Sequence, residues 1–278
     1  MLANKHLWWC IVACASQAVK GLALPTPEGA SSVDRTLLSR DDDGSSIITS
    51  RARGFADGMA LRIMPLGASI TYGYGSTDKN GYRKDLRDRL EDHGNEVNMV
   101  GDNPAGDMKD NEAEGWKSYT VSMVHDKATK AVPKFKPNLI LVNVGTNDCV
   151  GDDDLPGAGN RVTDLLNDLF KQSPKTTVIL STLLVNRDAA VQKRVVDFNR
   201  QLREVANKFQ LYGKRIVLVD MQGENGPTTE DLIGDGIHPD DVGYEKMADV
   251  WFDGIREADS RHYLQEADKV DGLAPDGA

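Results

Sequence analysis

From Leu61 onward the chain alternates short apolar runs with longer amphipathic stretches, and this alternation restricts its fold more than any other feature. Leu61 to Leu66 reads as a first strand, Glu96 to Val100 as a second and Asn138 to Val144 as a third. Thr177 to Leu183 and Ile216 to Val219 follow as a fourth and a fifth. The third carries a nearly continuous Leu-Ile-Leu-Val run, the pattern of a strand buried on both faces. Helices are expected between them. One covers about residues 81–93, with Tyr82, Leu86 and Leu90 repeating at four and Asn80 placed to cap it. Another covers about 119–131 and stops ahead of Pro133. Further helices are expected around Val162 to Phe170, over 189–209 and over 242–256. Strands alternating with helices predict one three-layer α/β domain with a parallel sheet and right-handed crossovers.

The 278 residues accommodate one domain of roughly 200 residues with flanking segments. We place that domain at 59–260. Ahead of it, Lys5 and His6 precede the apolar run from Leu7 to Ala15, and small residues at Ser16, Ala18 and Ala23 suit cleavage. Residues 1–23 therefore read as a secretory signal peptide, too short in its apolar part to span a bilayer. An uncleaved anchor is the alternative. Residues 24–58, rich in Ser, Asp, Arg, Gly and Pro, read as a disordered linker or pro-segment. Residues 261–278 form a polar tail. A formal charge of −10 argues against a nucleic-acid partner and against docking on anionic lipid. The expectation is a secreted, extracellular monomer with no membrane partner once the leader is removed. Cys10 and Cys14 lie in that leader, which leaves Cys149 with no internal disulfide partner and the behaviour of a small apolar residue.

Three polar motifs fall after the expected strands. Ser69 follows the first, in Gly67-Ala68-Ser69-Ile70-Thr71; Asn147 follows the third, in Gly145-Thr146-Asn147-Asp148; and Asp235-Gly236-Ile237-His238-Pro239 lies in the long loop after the fifth. All are then at the carboxyl edge of the sheet, where open α/β folds gather ligands. Asp235, three residues before His238, can hold the imidazole through Nδ1–H and leave Nε2 free to take a proton from the Ser69 hydroxyl. The Asn147 amide can donate to an oxyanion beside the backbone N–H of Ser69 and of a residue near 118. Each fragment alone has a bland reading: Ser69 as a helix cap, His238 as a surface-loop histidine paired with Asp235, and Asn147 as an Asx turn. Asp148 reads as a brace between loops. Asp152-Asp153-Asp154 lacks the glycine-centred loop of a calcium site, and no zinc spacing or phosphate loop is present, so neither metal nor cofactor is expected.

These residues resemble the SGNH (GDSL-type) hydrolase family. The matching blocks are Ile63 to Thr71, Asp110 to Ser118, Gly145 to Asp148 and Asp235 to Pro239, spread over about residues 60–256. The resemblance is nearest to the branch with acetyl xylan esterases. It implies a three-layer α/β/α flavodoxin-like sandwich with a five-stranded parallel sheet, no metal, and ester hydrolysis through an acyl-serine. Ser69, Asp235 and His238 would be catalytic, and Ser69, Ser118 and Asn147 would form the oxyanion hole. Two positions depart from the family's pattern. Its name-giving Asp is Ala68 here, and the expected oxyanion glycine is Ser118, with Gly115 as the fallback if the register differs. The substrate expected from the resemblance is a short acyl ester, acetyl first, on carbohydrate. The alternatives are a lysophospholipase or general lipid esterase, and a non-catalytic carbohydrate-binding module on the same scaffold.

Overall fold

The computed structural model describes residues 37–40, 46–49 and 54–273. The expected leader, and most of the expected linker, lie outside these residues. Within that linker segment β1 (Leu37–Arg40) and β2 (Ser46–Thr49) pair antiparallel, Leu37 facing Thr49 and Arg40 facing Ser46. This hairpin belongs to a unit of its own, residues 1–50. The second unit carries everything that follows.

That unit opens on a short turn, α1 (Phe55–Gly58), whose residues Ala56 and Asp57 leave helical geometry at positive φ. Phe55 is buried in the core, so packed residues begin slightly ahead of the expected start at 59. The strands are β3 (Leu61–Gly67), β4 (Val97–Met99), β5 (Glu114–Gly115), β6 (Leu139–Asn143), β7 (Thr177–Ser181) and β8 (Ile216–Val219). The main sheet has the order β4-β3-β6-β7-β8, and every pairing in it is parallel. The expected five strands are thus present. The two-residue β5 adds to them by pairing with the last part of β3, past the point where β4 ends.

The period of two decides which side chains face which layer. Met64 and Leu66 of β3, Ile140 and Val142 of β6, and Val178 and Leu180 of β7 enter one cluster. Leu61, Ile63, Leu139, Leu141 and Ile179 enter the other. Both faces being covered is why these strands read as unbroken apolar runs. On the first face lie α4 (Val121–Phe135), α6 (Ala158–Gln172) and α7 (Ala189–Leu211). On the second lie α3 (Tyr82–His93) and α8 (Asp241–Ser260), with Tyr82, Tyr244 and Trp251 fully buried between them. Two short helices follow strands directly, α2 (Ser69–Tyr72) after β3 and α5 (Thr146–Gly151) after β6.

Two local expectations are corrected. Helix α4 does not stop at 131 but runs through Pro133 to Phe135. Proline removes a single N–H near the helix end, and Lys136 then closes the turn at φ 43 by donating to Val132 O at 2.8 Å. Asn80 does not cap α3, whose N-cap is Gly81. Its buried amide instead accepts from the amides of Asp107 and Met108 and donates to Asp78 and Asp107, tying the 105–111 loop to the start of the helix. At the far end, part of the polar tail lies on the domain. Leu264 is buried, Asn138 donates to Gln265 O, and Arg62 donates to Asp268 O. Among the described residues no helix is long and apolar enough to cross a membrane.

Candidate active site

The site forms where β3 and β6 end side by side, with their neighbours continuing to β4 on one side and β7 on the other. This is the switch point of the sheet, where helices leave toward opposite faces and a crevice opens. The chain turns from β3 into α2 at Ser69, so the Ser69 N–H, in the first turn, has no partner within its own helix. Asn147 stands in the first turn of α5, at the end of β6.

Ser69 Oγ lies 2.7 Å from His238 Nε2, and His238 Nδ1 lies 2.7 Å from Asp235 Oδ2. With the proton on Nδ1 donated to Asp235, the imidazole accepts the serine hydroxyl at Nε2. The other Asp235 oxygen accepts the main-chain N–H of Ile237 at 2.9 Å and of His238 at 3.0 Å. Burial raises the carboxyl's pKa, but these amides and the imidazole outweigh it and hold Asp235 below the ordinary carboxylate range. One three-residue spacing therefore serves two ends: Asp235 shapes its own loop and aims the ring.

Asn147 Nδ2 donates to Tyr119 O at 2.8 Å, a partner 28 positions away rather than a local Asx turn. That bond uses one of its two amide hydrogens, leaving the second for a ligand. Gly115 and Ser118 separate clearly. Gly115 pairs with Gly67 across β3 and is buried against α2, where an added β-carbon would meet the Tyr72 nitrogen at 2.5 Å. Its carbonyl accepts from Asn103 Nδ2 at 2.5 Å, and the next amide, Trp116 N–H, donates to Gly67 O at 3.0 Å. Ser118 is exposed, three residues farther on, at φ 65. Gly115 is thus packed against α2, while Ser118 takes the left-handed backbone geometry that favours glycine, next to Tyr119, whose carbonyl holds Asn147.

The remaining polar residues mostly brace the frame. Asp148 is buried, accepting from the Val121 amide at 3.0 Å and from Arg161 at 3.1 Å, with burial pushing its carboxyl up. Cys149 is buried, and burial pushes its thiol up to about 12, away from the thiolate that nucleophilic chemistry needs. Arg161 also holds Asp154, part of the acidic run. Ala68 is buried at the N-cap of α2. Among the described residues no group of three or more His, Cys, Asp or Glu side chains could hold a metal ion.

Two contributors escaped the sequence reading. Tyr74 is exposed, yet its ring centroid is 4.6 Å from that of His238. Its backbone is pinned at both ends, N–H to Ser69 O at 2.9 Å and O from the Tyr244 hydroxyl at 2.6 Å. An aromatic between two glycines just after Ser69 was the available signal. Arg83 is fully buried and donates to the carbonyls of Tyr72, Lys79, Ala105 and Asn111. A charge three residues before Leu86, on the apolar face of α3, could have marked it.

A family model for the GDSL-like Lipase/Acylhydrolase family matches residues 66–246, well over half of the chain. The chain belongs to this family. Among its GDSL relatives is a multidomain esterase of Ruminococcus flavefaciens, 28% identical over 249 residues, which cover 79% of this chain and 32% of that protein. The chain thus spans only about a third of the length of this curated relative. Two solved structures share the fold. A family 3 carbohydrate esterase of Clostridium thermocellum has a TM-score of 0.65 at 20% identity, covering 73% of this chain and 99% of that one. An acetyl esterase variant solved with an acetate ion has a TM-score of 0.63 at 18% identity, covering 73% and 99%. As a GDSL-family member, the chain carries Ser69 and His238 inside the matched region.

Proposed function

We propose that this GDSL-family chain is a serine esterase that removes short acyl groups, acetyl first, from carbohydrate hydroxyls. The observation that carries the reading is the 2.7 Å approach of Ser69 Oγ to His238 Nε2, with Asp235 behind the ring. His238 takes the hydroxyl proton as Oγ attacks the ester carbonyl, and the oxyanion is met by the N–H groups of Ser69 and Ser118 and by Asn147 Nδ2. Collapse breaks the bond to the alcohol, which leaves with the proton from His238 Nε2. Water, deprotonated by the same nitrogen, then attacks the acyl-serine, releasing the carboxylic acid and restoring Ser69.

The leaving oxygen must come within hydrogen-bond reach of His238 Nε2, so the alcohol lies on the histidine side of the crevice. There the exposed Tyr74 ring offers an apolar face to a sugar, which supports a carbohydrate alcohol. The names of the related esterases point the same way. Export through the residue 1–23 leader belongs to the same reading and rests on the sequence alone.

A fluorophosphonate probe should label the wild type and leave Ser69→Ala unlabelled. Turnover should be higher on acetylated xylo-oligosaccharides and p-nitrophenyl acetate than on long-acyl p-nitrophenyl esters. Preference for long acyl chains would replace this reading with a lipid esterase. Glycan binding without labelling would replace it with a binding module.

A further inference from the structure

We propose that Arg187 is the positioning residue that holds the catalytic histidine in line with Ser69. It makes no hydrogen bond to the triad itself. It grips the loop that carries His238 and Asp235, and the inference rests on the esterase reading given above.

The grip is made entirely on main-chain carbonyls. Arg187 Nε and Nη2 both donate to Thr229 O, at 3.0 and 2.8 Å, Nη2 donates also to Leu232 O at 2.6 Å, and Nη1 donates to Ile233 O at 2.9 Å. Its own backbone N–H donates to Gly236 O at 3.0 Å. The loop touches the stem as well. Gly236, at φ 71, lies so near that an added β-carbon would come within 2.8 Å of Arg187 Cβ. Arg187 therefore contacts four residues between 229 and 236, on both sides of Asp235.

The loop is internally tied, so a hold on these carbonyls reaches the imidazole. Gly236 N–H donates to Ile233 O at 3.0 Å, and Ile233 N–H donates to His238 O at 2.8 Å. Asp235 closes the set through the amides of Ile237 and His238. The other side of the grip is equally anchored. Arg187 precedes Asp188, which caps α7 by accepting from the amides of Ala190 and Val191. Asn186 accepts from the Asp188 amide at 2.9 Å and donates its own N–H to Gln192 at 2.7 Å. Helix α7 is seated in the core through Val191, Val195 and Phe198. A continuous path thus runs from the core, through Arg187, to the catalytic loop.

A guanidinium is the group that can do this. Its planar fork presents five donors in fixed directions, whereas a lysine ammonium offers three donors from one point. A second anchor, Lys246 to Asp231 at 2.6 Å, holds the start of the loop but not the 233–238 segment. Removing Arg187 therefore leaves the loop attached, and closed at its base by the Leu232–Pro239 bridge, but takes away the side-chain hold that seats it against the start of α7. A displacement on the order of 1 Å at a reacting group costs about 10²-fold in rate.

The test uses the full chain with p-nitrophenyl acetate, with active sites counted by end-point phosphonate titration. Arg187→Ala should lower kcat per titrated site by about 10- to 100-fold and leave KM within about threefold. Arg187→Lys should recover little of the loss, and added guanidinium ion should restore part of the Arg187→Ala rate. The low-field proton NMR signal of the His238–Asp235 hydrogen bond should broaden or shift in both variants. Wild-type kcat per titrated site in Arg187→Lys overturns the proposal. So does a loss in Arg187→Ala that guanidinium does not relieve while the NMR signal is unchanged. If Arg187→Ala does not fold, Arg187→Lys decides alone by its kcat per site. Failure of the esterase reading would look different, because the wild type itself would then resist the phosphonate.

Discussion

Ser69 and His238 stand 169 positions apart in the chain, yet their reacting atoms are within hydrogen-bond distance. At the scale of single residues, each partner in the site is identified by what it touches. Asn147 is fixed by Tyr119 O, and the proposed esterase uses its second amide hydrogen on the oxyanion. Asn147→Ala should therefore lower kcat by about 10²- to 10³-fold with KM little altered, measured on a short ester. Loss expressed only in KM would remove Asn147 from the oxyanion hole. Asp235 yields a prediction in pH. Its carboxyl is held below the ordinary range, so the stability it contributes is full above about pH 4, the unfolded value. That contribution is lost as pH falls through the lower, folded value. The gap in denaturant midpoint between wild type and Asp235→Ala should be wide at pH 6 and shrink below pH 4. A gap that stays constant with pH would contradict the assignment.

At the scale of elements, the short pieces carry the finest placements. The two-residue β5 sets Gly115 beside Gly67 and against α2, three residues ahead of Ser118. No periodicity can be read from two residues, which is why the sequence left both positions open. Gly115→Ala would force a β-carbon against backbone. It should destabilise the fold by about 1–3 kcal/mol, whereas Ser118→Ala keeps the backbone N–H and should leave stability and kcat near wild type. Thermal melts and initial rates on the pair would check both, and a dead Ser118→Ala would mean that its hydroxyl, rather than its N–H, serves the reaction. The longer elements were legible because their apolar positions repeat. Helix α3 followed Tyr82, Leu86 and Leu90, and α7 followed Val191, Val195, Phe198, Leu202 and Val205. Asn80 misled because a cap residue and a buried loop tie use the same amide, and only the fold around it separates them.

At the scale of the whole molecule, stability rests on two apolar layers against one sheet. Leu141, fully buried in central β6, should cost about 2–5 kcal/mol as Leu141→Ala, read by denaturant unfolding. A smaller cost would mean that the layer collapses around the gap. Cys149 reports on the same core from the other face. With its thiol buried and pushed up to about 12, it should resist alkylation at pH 8 until the domain unfolds, as peptide mapping would show. Rapid native labelling at Cys149 would point to local opening around α5.

The sequence by itself determined the strand–helix alternation, the count of main strands and the three polar motifs at one sheet edge. Those follow from local periodicity and from residues that a strand end or a turn accepts. The tertiary structure alone decided the sheet order that brings Ser69 to His238, the packing of Gly115 against α2, and the carbonyl grips of Arg83 and Arg187. Such grips leave no trace in the sequence of the segments they hold, because every residue offers the same carbonyl oxygen.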